Sequence, residues 1–150
     1  MLKRERKKKM KKVLLRHCIE AGEARLYDFV KATNVVCTGE VPTAAVDNKG
    51  NLYINKSFYQ ENQQHIIGLL LHESLHVYFD HVNNDYEHKM VANIAFDVII
   101  NDIVMGIGYT LPEEGVTYEN CKPPVPRIYK TSEEVYEYLL DNMDDIPDDL

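Results

Sequence analysis

The sequence predicts a mainly helical α+β protein in which a small β-hairpin or sheet packs on one central helix. Stretches rich in helix formers lie before residue 32 and again after residue 57, with a short extended region between them. Within that region, Asp47-Asn48-Lys49-Gly50-Asn51 is turn chemistry. It separates extended residues 41–46 from the alternating Leu52-Tyr53-Ile54-Asn55, which is the pattern of a hairpin. The chain has 150 residues, 45% hydrophobic and 27% charged, which suits one globular domain over residues 1–150.

Taken in order, residues 4–31 read as helix, with Val13, Leu14, Ile19, Leu26, Phe29 and Val30 turned inward and Gly22 as the point where the stretch splits in two. Val35-Val36-Cys37 is extended and precedes the hairpin. Ser57-Phe58-Tyr59-Gln60 has the form of a capping box, and no Pro interrupts from there to Val82. Asn83-Asn84-Asp85 breaks that helix. The next runs over about 87–105, where Gly106 and Gly108 end it. Residues 109–130 hold four prolines and no clear period, so they form a long loop. Thr131-Ser132-Glu133-Glu134 opens a last helix, and residues 142–150 form an acidic, frayed tail.

The chemistry is concentrated in His72-Glu73-Ser74-Leu75-His76, an H-E-x-x-H pattern within an apolar run. Residues four apart on a helix share a face, so both imidazoles can reach one metal ion. Glu73 lies about 100° round the helix from His72, placed to touch a water held by that ion without ligating it. Zn2+ is the metal this layout fits: two His ligands, a third from elsewhere, an open position for water and a Glu as general base.

Two candidates could supply the third ligand. Asn93, Asp97 and Asn101 recur every four residues in an otherwise apolar helix, and a carboxylate in such a place needs a compensating partner. Asp97 is therefore the expected ligand, with Asn93 and Asn101 orienting the ligating groups. The alternative is His81. It falls opposite His72 if the helix continues, and it could bind only after a sharp turn, with no Gly between Val77 and Asp80 to make one.

These segments together resemble a known family. Pro42-Thr43-Ala44-Ala45-Val46, Leu52-Tyr53-Ile54-Asn55, the H-E-x-x-H helix with His81, the stretch from Asn93 to Asn101, and Thr131-Ser132-Glu133-Glu134-Val135-Tyr136 follow the order of a zinc metallopeptidase domain. That domain usually stands before von Willebrand A-like domains in bacterial and phage proteins. The resemblance covers residues 35–140. It implies a minimal zincin-like fold of the gluzincin type and a peptidase activity, with an acidic residue of a second helix completing the site, as Asp97 would. Two features depart from the family. Asn84 stands where an Arg is usual, and no von Willebrand A-like domain follows in this sequence, so any recruitment that domain provides is missing and a partner protein is the expected substitute.

Charge and cysteine content bound the remaining readings. Nine of the 17 Lys and Arg lie in residues 1–16 with Glu5 alone against them, leaving eight bases and 23 acids in the rest. Residues 1–12 thus form a basic, frayed arm. A nucleic-acid accessory role for this arm is one alternative, weakened by the acidic body and by the lack of aromatic residues among the lysines. A non-catalytic, zinc-stabilised binding or regulatory protein is the other. Cys18, Cys37 and Cys121 show no pairing pattern and point to free thiols in a reducing compartment. The apolar patch after the arm is too short for a signal peptide, and the apolar clusters at 66–71 and 94–100 are too short for a bilayer span. The expectation is a cytoplasmic enzyme acting on a peptide or protein substrate, with no membrane partner.

Overall fold

The computed structural model describes residues 3–112 and 115–146, with side chains in the first helix described from Lys9 onward. Of the basic arm, residues 1 and 2 and the side chains of 3–8 lie outside the described residues, as does 147–150 of the acidic tail. The chain divides into two compact units, Met1–Asn83 and Asn84–Leu150, each with its own core.

In the first unit, α1 (Lys3–Glu20) and α2 (Ala24–Ala32) meet at Gly22, whose φ of +70° is the left-handed conformation that ends a helix without a Cβ penalty. The Glu23 amide donates to the Cys18 carbonyl across that turn. Leu14, Leu26 and Val30 are buried as the pattern requires, joined by Met10 and Cys18, whereas Ile19 is 66% exposed. The helix face is thus rotated toward Cys18.

Three strands follow: β1 (Asn34–Cys37), β2 (Ala44–Val46) and β3 (Asn51–Ile54). β2 and β3 form the expected antiparallel hairpin, with Ala45 opposite Tyr53. β1 pairs with β3 in parallel, Val35 opposite Leu52, giving the order β1-β3-β2. Leu52 and Ile54 project into the core and meet Ile66, Leu69 and Leu70 of the motif helix.

The motif helix begins later than its sequence predicts. A short helix, α3 (Lys56–Glu61), precedes it and is capped by Asn55, not Ser57: the Asn55 side chain accepts from the Phe58 amide at 2.9 Å. Asn62 then interrupts the helix. After one turn of 3-10 helix at Gln63–His65, α4 (Ile66–Tyr78) runs for 13 residues. Phe79, the residue after its last turn, is exposed.

The second unit packs α5 (Lys89–Ile107) against α6 (Ser132–Asn142). Val91, Ala95, Val98 and Val104 are buried, together with Val135 and Leu139. Gly108 ends α5 at φ +114°, while Gly106 lies within its last turn. Tyr118, Cys121 and Val125 bring the long loop into this core. As a whole helix, α5 is long and apolar enough to cross a bilayer by length and composition, a correction to the reading from its separate apolar clusters. Its apolar residues serve partly the core of its own unit, where seven of them are buried.

Candidate metal centre

Helix α4 aims the site because its other face is fixed. Ile66, Gly68, Leu69 and Leu70 are buried. The following turn then carries His72 and His76 on the half-buried side. The two rings lie 4.7 Å apart, edge to face, with their Nε2 atoms separated by 3.0 Å. Two nitrogens each about 2.0–2.1 Å from one tetrahedral ion would stand roughly 3.3 Å apart, so a few tenths of an ångström of opening would accommodate it. The pair therefore fits a divalent cation between them.

Glu73 is 6% exposed, one of three buried polar residues in the described chain. It sits between the two imidazoles in sequence and on the core-facing flank of the same helix. Burying a carboxylate is costly unless hydrogen-bonding or ionic partners accompany it. Ser74 is accounted for locally, since its hydroxyl donates to the Leu71 carbonyl at 2.8 Å.

His81 is placed by a turn that sequence reasoning did not find. After α4, Asp80 adopts φ +56° and its amide donates to the Val77 carbonyl. Asp is among the few residues apart from Gly that tolerate this conformation, so Asp80 makes the sharp bend without a Gly. The Asn83 side chain donates to the Asp80 carboxylate at 2.7 Å and closes the turn. His81 returns to the motif. Its Nδ1 lies 3.1 Å from Nδ1 of His76, on the side of that ring away from Nε2. Its ring stacks on Phe79, with 5.6 Å between centroids.

The remaining predicted residues lie on α5 in the second unit. Asp97 is half-buried there and Asn93, one turn earlier, is exposed. Asn101 is buried, and its side-chain nitrogen donates to the Val116 carbonyl at 2.8 Å, which ties the long loop to the helix. Of the other histidines, His17 is engaged in the first core, its Nε2 2.9 Å from the Tyr59 hydroxyl.

The cysteines are free thiols, as expected. Burial pushes Cys18 up to about 11 and raises Cys37 and Cys121 as well. Thiolate is the form that ligates metal, so these three are poor ligands next to the imidazole pair.

A family model described as "Putative metallopeptidase domain" matches residues 4–145, nearly the whole chain and both units. The chain belongs to this family. Membership in this family points, at the level of the family, to metal-dependent hydrolysis. Comparison with curated proteins returned no match, and neither did comparison with solved structures.

Proposed function

We propose that this protein is a zinc-dependent peptidase that hydrolyses peptide bonds in a peptide or protein substrate, with Glu73 as general base. The observation that carries this reading is the approach of His72 Nε2 to His76 Nε2, 3.0 Å apart on the helix that also carries the buried Glu73, in a chain that belongs to a family described as a "Putative metallopeptidase domain". In this reading His72 and His76 hold Zn2+, and Asp97 is the third protein ligand. Carboxylate oxygen is a normal companion to two imidazoles, and three ligands leave a position for water.

A bound zinc ion would supply Lewis acidity and bring the pKa of water toward about 7. Glu73 would take the proton of the attacking water and hand it to the departing amine. Strand β2 stands at the edge of the sheet and packs against α4, so an extended substrate could add to it by main-chain hydrogen bonds, aligned along the motif helix. The three free thiols fit work in a reducing, cytoplasmic compartment.

The test is an unbiased peptide-cleavage screen with metal analysis. Glu73→Gln should keep stoichiometric zinc and lose about 10²–10⁴-fold in turnover, the usual contribution of a general base. Wild-type turnover in that variant removes Glu73 from the chemistry. Asp97→Ala should lose zinc. Retention of zinc there, with loss in His81→Ala, would transfer the third position to His81.

A further inference from the structure

His76 has two ring nitrogens, and the structure engages both. Nε2 meets His72 Nε2 at 3.0 Å, while Nδ1 meets His81 Nδ1 at 3.1 Å. The two nitrogens sit on opposite sides of the imidazole, so a group bound to one cannot share a ligand with the other. We infer that His81 is a positioning residue whose Nδ1 accepts the Nδ1–H of His76, holding His76 in the tautomer that presents a bare Nε2 to a metal. This rests on the proposed zinc site.

Only one of two facing neutral Nδ1 atoms can carry the hydrogen. If His76 ligates through Nε2, that atom must be unprotonated, so its hydrogen resides on Nδ1 and is donated. His81 must then accept, and its own hydrogen resides on Nε2. The arrangement is built, because three features fix His81. The left-handed Asp80 reverses the chain, Asn83 ties down the Asp80 carboxylate, and Phe79 stacks on the His81 ring at an interplanar angle of 24°. Groups that fix a ligand imidazole through its second nitrogen commonly set metal affinity by about 10–100-fold.

The experiment compares His81→Phe and His81→Gln with wild type. Phe keeps the aromatic face against Phe79 and removes the acceptor; the Gln amide oxygen restores one. Zinc affinity is read by competition with a chromophoric chelator, and the fold of each metal-free variant by circular dichroism and thermal melting. The expected result is a 10–100-fold weaker zinc affinity in His81→Phe at unchanged melting temperature, with partial recovery in His81→Gln. Nitrogen-15 correlation spectra of the zinc-loaded wild type should show His76 protonated on Nδ1 and slow to exchange, and that signal should exchange rapidly in His81→Phe. X-ray absorption of the wild type should count two imidazoles on zinc. Three imidazoles would make His81 a ligand and overturn the inference, as would unchanged affinity and exchange in His81→Phe. A wild type that binds no zinc would instead defeat the zinc-site reading, and this inference with it.

Discussion

Asp47 shows what one half-buried carboxylate can organise. Its Oδ1 accepts from the Lys49 and Asn51 amides at 2.8 and 3.0 Å, and its Oδ2 accepts from the Asn51 side chain at 2.7 Å and the Tyr53 hydroxyl at 2.8 Å. These donors, those of Asn51 foremost, hold its pKa well below the usual carboxylate range. The folded value lies below the unfolded one, so the stabilisation is present above the ordinary value of 3.8 and is lost as pH falls toward the folded value. Asp47→Asn puts an amide NH2 against the Asn51 and Tyr53 donors. Thermal melts over a pH series should show a lower midpoint than wild type at neutral pH, with the difference shrinking below about pH 4. A difference that stays constant down to pH 2 would mean that the Asp47 charge contributes nothing to the hairpin.

The elements divide by how locally they are specified. Thr131-Ser132-Glu133-Glu134 was legible because every partner is within three residues: the Thr131 hydroxyl accepts from the Glu134 amide at 3.1 Å, and the Glu134 carboxylate accepts from the Thr131 amide at 3.2 Å. Thr131→Ala should cost about 1 kcal/mol in urea unfolding and Thr131→Ser markedly less. Equal stability of the alanine variant and wild type would show the cap to be redundant with the packing of α6 on α5. At α3 the same kind of signal misled. Ser57 offers a cap by pattern, but Asn55 both caps the Phe58 amide and donates to the Val41 carbonyl at 2.9 Å. That second bond joins residues 14 apart and is invisible in a local motif. The parallel pairing of β1 with β3 was hidden for the same reason, since its register is set across the intervening hairpin. The turn at Asp80 is hidden on different grounds: Gly is the usual signal of a left-handed bend, and Asp, which also tolerates that conformation, is common elsewhere in sequences and marks no turn by itself.

At the scale of the molecule, the proposed ligands are spread along the chain, His72 and His76 before residue 83 and Asp97 after it. Helical periodicity alone made the imidazole pair legible, since i and i+4 need nothing beyond one helix. The choice of Asp97 depended on a carboxylate set in an apolar helix, a signal about energetic need that specifies no partner. Linkage supplies a test of the set as a whole. A ligand that binds the folded chain alone stabilises it by mass action, about 2.7 kcal/mol at a free concentration one hundred times the dissociation constant. Zinc added to metal-free protein should therefore raise the unfolding midpoint, and a chelator should reverse the rise. Glu73→Gln should keep the full shift, because Glu73 is assigned to proton transfer and not to ligation. His76→Ala and Asp97→Ala should each abolish it, although the two residues belong to different units with separate cores. A full shift in Asp97→Ala would confine metal binding to the segment before residue 83 and leave the second unit without a part in the site.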